Sequence, residues 1–84
     1  GHMATITGTI NENGTAVGAG WTLVYGSSGD GIKTTNSSGQ FTWDDVADSF
    51  KAVLNFVIID AAGVTRMGGS GNLIAAGDSP TFEL

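Results

Sequence analysis

The chain has no cysteine, one proline, three basic residues and one histidine in 84 residues. Each shortage excludes something. Without cysteine there is no disulfide, no thiol nucleophile and no cysteine-built zinc site. Lys33, Lys51 and Arg66 stand against eight carboxylates, for a net charge of −5. Nucleic acid binds where several cations share a face and release counterions, so a nucleic-acid partner is not expected. An anionic membrane surface is excluded on the same ground. The longest apolar run, Ala52 to Ile59, is broken by Asn55 and falls far short of the ~20 residues that span a bilayer, so no membrane insertion is expected. The one histidine, His2, lies in Gly1-His2-Met3, which reads as a scar of tag cleavage at 1–3. Ser-His-Asp chemistry therefore lacks its base.

What remains, 4–84, is one domain. A chain this short buries only about 60% of its unfolded surface and has little room for a large internal pocket. Fourteen glycines and many Thr and Ser residues suit short strands joined by tight turns. Thr5 to Ile10 alternates, with Ile6, Gly8 and Ile10 on one face and three threonines on the other. Asn13-Gly14 is a turn signal. Gly20 to Tyr25 places Trp21, Leu23 and Tyr25 on one side. Gly26 to Gly31 reads as a polar loop. Ile32 to Thr35 reads as an edge strand, and Asn36 to Gly39 as a turn into the strand Gln40 to Trp43.

Asp44 to Asp48 reads as a connection, with one helical turn as an option. Phe50 to Asp60 is expected to be the longest strand. Its even positions (Phe50, Ala52, Leu54, Phe56, Ile58) are all apolar and are assigned to the core. Its odd positions carry Val53, Val57 and Ile59 beside Lys51 and Asn55. A helix over 44–59 is the rival reading; the β-branched content favours strand. Val64 to Met67, Asn72 to Ala75 and Thr81 to Leu84 complete the pattern, with Gly68 to Gly71 as a loop. Roughly seven short strands at turn intervals of about 8–12 residues predict an all-β, immunoglobulin-like or prealbumin-like antiparallel β-sandwich.

The order Ile6-Thr7-Gly8-Thr9-Ile10, Asn13-Gly14-Thr15-Ala16-Val17-Gly18-Ala19, Thr22-Leu23 and Thr34-Thr35-Asn36-Ser37-Ser38-Gly39-Gln40-Phe41-Thr42-Trp43-Asp44-Asp45-Val46 resembles the carboxypeptidase regulatory-like family. The resemblance covers 5–46, about half the chain. It departs at Ala47-Asp48-Ser49-Phe50, where the family shows Pro-Gly-x-Tyr and Phe50 takes the place of the tyrosine. From Ala61 onward no family signature is legible. The resemblance implies a prealbumin-like sandwich, mostly non-catalytic, of a kind found in bacterial surface proteins and phage tail fibres. Some modules of similar fold form a Lys–Asn isopeptide bond from a first-strand lysine, which 4–10 lacks.

Three constellations are candidates for function. Asp44, Asp45 and Asp48 are the only carboxylate cluster. They could act as a glycosidase pair or supply calcium ligands, although the spacing is not that of an EF-hand; a solvated acidic loop is the simpler account, and no metal or other cofactor is expected. Gly68-Gly69-Ser70-Gly71 lacks the Lys and helix of a phosphate loop. Trp21, Tyr25 and Trp43 are candidates for stacking on sugars, although their phase with Leu23 and Phe41 also fits core packing. Val53, Val57 and Ile59 project away from the assigned core face, so they mark an interface unless a loop from the final third covers them. The expectation is a non-catalytic structural or interaction module, extracellular, at a cell surface or in a virion. Its partners would be other subunits or domains of a larger assembly; the alternative is an adhesion module binding glycans.

Overall fold

The computed structural model describes residues 3–26 and 31–84. Gly1 and His2 of the expected scar, and 27–30 of the expected polar loop with Asp30, lie outside the described residues. Those residues form eight strands and no helix: β1 (Met3–Glu12), β2 (Thr15–Ala16), β3 (Thr22–Tyr25), β4 (Gly31–Thr34), β5 (Gln40–Ala47), β6 (Lys51–Ile59), β7 (Thr65–Ala75) and β8 (Thr81–Glu83). They divide into two sheets. In the first, β1 lies between β8 on one edge and β5 and β2 on the other. Thr7 and Thr9 N–H bond to Asp78 and Pro80 carbonyls, while Ile10 N–H turns the other way to Gly39. The second sheet has the order β4-β3-β6-β7. All pairings are antiparallel except β1–β8, which is parallel. The last strand thus departs from the wholly antiparallel expectation. It reaches β1 by crossing between sheets rather than through a hairpin.

The core lies between the sheets. Alternation delivers Ile6 and Ile10 from β1, Leu23 from β3, Phe41 from β5, Phe56 and Ile58 from β6, Ile74 from β7 and Phe82 from β8, all buried. Gly8 sits in this inward row because Phe41 needs its place: a Cβ on Gly8 would overlap the Phe41 ring. Aromatic rings form a continuous chain across the core. Phe56 meets Phe82 at 5.0 Å, Phe82 stacks on Phe41 at 6.1 Å, Phe41 meets Trp43 edge-on at 5.1 Å, and Trp43 meets Tyr25 edge-on at 5.1 Å. Such offset and edge-to-face pairs add to the stabilisation from burial. The buried Thr35 hydroxyl accepts from Trp21 N–H at 3.0 Å and donates to the Gly18 carbonyl at 2.8 Å. The entry into β3 is thereby tied to the exit from β4.

Two turns use one device. Asn36 Oδ1 accepts from Ser38 and Gln40 N–H, and Asp60 Oδ1 accepts from Ala62 and Val64 N–H. Gly39 and Gly63 follow at positive φ. A side-chain oxygen, amide in Asn36 and carboxylate in Asp60, closes the turn as a backbone carbonyl would, and the glycine takes the left-handed conformation that launches the next strand. Asp78 caps the end of β7 by accepting from Ala75 N–H at 2.8 Å.

Three sequence expectations are corrected. Asp44 to Val46 is not a connection: β5 runs on to Ala47, and the turn is 48–50. The register shifts between Ala4 and Ile6, with an extra residue on the β5 side, and Asp45 has φ 56°. This bulge reverses the alternation, so that Val46 packs against the core after Trp43. Second, Gly68 to Gly71 is not a loop. β7 passes through it as one eleven-residue strand, longer than β6, with register shifts opposite Asn55 and beside Ile59. Third, the even positions of the expected strand Phe50 to Asp60 are not all core, and Phe50 itself precedes β6. Phe50 is 42% exposed and Ala52 is exposed, because an open cleft separates the sheets at that end.

Candidate functional site

The two sheets present unlike outer faces. On the first, cross-strand rows read Thr81–Thr9–Gln40, Thr7–Thr42 and Glu83–Asn11, with Asn11 Nδ2 donating to Glu83 Oε1 at 2.8 Å. This face is mainly polar, with the Met3–Ala47 pair at one end as its apolar part; Met3 is 59% exposed. On the second, the rows read Ile32–Val24–Val57–Gly68 and Val53–Leu73, bordered by Thr34–Thr22–Ile59–Thr65 and by Lys51–Ala75. Paired residues share a face, so the register gathers these apolar side chains on one surface, where the exposed Asn55 lies between Val53 and Val57 on β6. Ile32 is 63% exposed, Val53 60%, Leu73 56% and Val57 37%.

Of the sequence-predicted interface residues, Val53 and Val57 lie in the open on this face. Ile59 is only half-buried there, between Thr22 and Thr65 at the end of the sheet. No described loop from the final third covers the face; that third supplies β7 to the same sheet and β8 to the other. Ile32, Val24 and Leu73 were not singled out from sequence. Ile32 did alternate with Thr34, but only the β3–β4 register brings it beside Val24.

A second feature is the cleft between the sheets. It holds about 360 Å³ and is lined by Ile6, Tyr25, Trp43, Val46, Phe50 and Leu54, among others. Tyr25 and Trp43, two of the three stacking candidates, are both half-buried here. The Tyr25 ring lies on the backbone of Gly31 and meets Trp43 edge-on. Trp21 is elsewhere: it is buried, with the Arg66 guanidinium 5.3 Å over its ring. That is a packing and cation–π role, so Trp21 has no face free for a ligand.

The acidic candidates stay apart in role. Asp44 and Asp48 are exposed, and Asp45 stands exposed at the wall of the cleft. Among the described residues, no three His, Cys, Asp or Glu side chains gather as a ligand set for a metal ion. At the end of the sandwich away from the cleft, Arg66 bonds both Asp60 and Glu12. The Val64 N–H, assisted by Arg66 and the Ala62 N–H, holds the Asp60 carboxyl below its usual 3.8. A depressed carboxyl stabilises the fold above its unfolded value, and the contribution is lost as pH falls through the folded value. Melting temperature followed by circular dichroism should therefore decline as pH is lowered past about 3.8, and less steeply in Asp60→Asn. Equal slopes would contradict this role for Asp60.

A scan against protein-family models finds no match, and a search of curated proteins finds no relative.

Proposed function

We propose that this chain is a non-catalytic structural or protein-interaction module of a larger extracellular or virion assembly, and that the outer face of β4-β3-β6-β7 is the surface it presents to protein. The observation that carries the reading is the contrast between the two outer faces. A sheet face left to water is normally polar, as the threonine face of the first sheet is. A mainly apolar face, broken by Asn55, that nothing in the described chain covers marks a partner surface.

The finer reading of the fold is a prealbumin-like sandwich of the carboxypeptidase regulatory-like kind. Leaving aside the two-residue β2, the first, fourth and seventh strands form one sheet, and the second, third, fifth and sixth form the other. An immunoglobulin constant-type sandwich groups the first, second, fourth and fifth. The partition therefore favours the prealbumin-like alternative, in keeping with the resemblance over 5–46.

Retention on a phenyl resin tests the functional reading. Val53→Lys with Leu73→Lys should fold normally and elute much earlier than the wild type. Thr7→Lys with Thr42→Lys, on the opposite face, should change retention little. Equal effects of the two pairs would overturn the reading.

The cleft supports a second reading, glycan binding by Tyr25 and Trp43. With Trp21 buried, quenching of tryptophan fluorescence by a sugar would come from Trp43 and be lost in Trp43→Ala. Silence across a broad glycan panel would leave the structural reading alone.

A further inference from the structure

We propose that the occupant of the apolar face is the same face of a second copy of this chain, stacked sheet on sheet about a two-fold axis. The inference rests on the reading above that this face meets protein, and it adds the partner.

Charge argues for it first. The chain carries a net charge of −5, so two copies repel wherever their acidic surfaces meet. The seven described acids all lie off this face. Glu12, Asp44, Asp45 and Glu83 belong to strands of the first sheet, and Asp48, Asp60 and Asp78 to turns between strands. Lys51, at one corner, is the only charged residue in the cross-strand rows of the face. A basic partner would find no carboxylate there. An identical copy brings an equally uncharged surface and keeps both sets of carboxylates away from the contact.

Shape argues for it independently. Between Val24, Asn55, Val57 and Gly68–Ser70 lies an open hollow of about 560 Å³, while Val53, Leu73 and Ile32 project around it. Gly68, whose pair on this face is Val57, is one of three glycines that line it. Packing within the chain does not require a glycine there: a Cβ on Gly68 would come no closer than 3.7 Å to any atom, and its φ is not positive. Gly69, by contrast, is pressed by the Phe56 ring at 3.1 Å. A two-fold axis through the face lets a projecting side chain of each copy enter the hollow of the other, as an isologous contact requires.

Size makes the contact a weak one. β6 and β7 have nine and eleven residues but β3 and β4 only four each, so at about 3.3 Å per residue and 4.8 Å between strands the face is roughly 430 Å², or about 900 Å² for two copies, in the range of transient rather than standard-size interfaces. The dimer should accordingly be concentration-dependent rather than obligate.

Light scattering after size exclusion, from micromolar to millimolar protein, tests the proposal. The mass should rise from one chain to two. Higher salt should favour the dimer by screening the repulsion between acidic copies. Val53→Lys with Leu73→Lys should weaken association by about tenfold or more, through desolvated like charges. Gly68→Ala, whose Cβ would come no closer than 3.7 Å to any atom of the chain, should weaken association by narrowing the hollow while its melting temperature holds. A monomer at all concentrations, a trimer, or a dimer indifferent to both variants would overturn self-pairing. If self-pairing fails while the phenyl-resin contrast holds, the face serves a different protein; if that contrast fails too, the interaction reading falls with it.

Discussion

Phe82→Ala should lower stability by about 3–5 kcal/mol, the usual cost of emptying a buried aromatic site. For a domain of this length, total stability is on the order of 4–13 kcal/mol. At about 4–8 °C per kcal/mol, the melting temperature should fall by at least about 12 °C. The position explains the size of the effect. Phe82 is 2% exposed and lies between Phe41 of β5 and Phe56 of β6, so it joins both sheets through one side chain. Its strand has three residues and pairs with β1 alone. Phe82 is the one buried side chain of β8, and beyond it only the partly buried Leu84 packs against the core. Thermal unfolding followed by near-ultraviolet circular dichroism is the check. A fall of less than about 5 °C would show that the aromatic chain closes without β8.

Gly39→Ala should cost nearly as much, although it adds only a methyl group. Gly39 is buried at φ 72°, which by itself costs an L-residue about 1–2 kcal/mol. The added Cβ would also stand 2.5 Å from the Val17 carbonyl oxygen. That atom is backbone, held in place where Val17 N–H bonds to the Ile10 carbonyl, so it cannot rotate aside as a side chain would. The Gly39 carbonyl also receives the Ile10 N–H, so any shift disturbs β1. A combined loss of about 2–4 kcal/mol is expected. Gly63→Ala is the internal control. It has a similar φ of 87° in the same kind of turn but nothing within 4 Å of the new Cβ, so it should lose only the conformational part. Urea midpoints of the two variants separate these contributions; equal losses would place the whole cost in φ.

Much of the sandwich was legible because alternation is a local signal. Ile6, Gly8 and Ile10, the Phe41–Trp43 pair, and Phe56 with Ile58 all face inward as their spacing demands. The misreadings occur where register, not periodicity, decides. Asp44 and Asp45 look like turn residues, yet they form a bulge inside β5, because β1 offers bonding partners on either side of them. Gly68 to Gly71 has poor strand propensity, and the cross-strand partners on β6 override it. At the candidate site, Val53 and Val57 were readable from the odd positions of β6. Ile32, Val24 and Leu73 were not, because membership of a face is a property of four strands in register and no single segment carries it. Trp21 was ambiguous for a related reason. Its burial depends on Arg66, 45 positions away, and on Thr35.

Solvent exposure of individual methyl groups tests the central claim most directly. A soluble gadolinium chelate, read by methyl NMR relaxation, should strongly relax Val53, Val57, Leu73 and Ile32 in dilute protein. Those same methyls should become protected as concentration rises, while the threonine methyls of the opposite face do not change. If the four methyls are already shielded in the dilute monomer, or protection appears on the threonine face instead, the apolar face is not the surface by which this protein meets its partner.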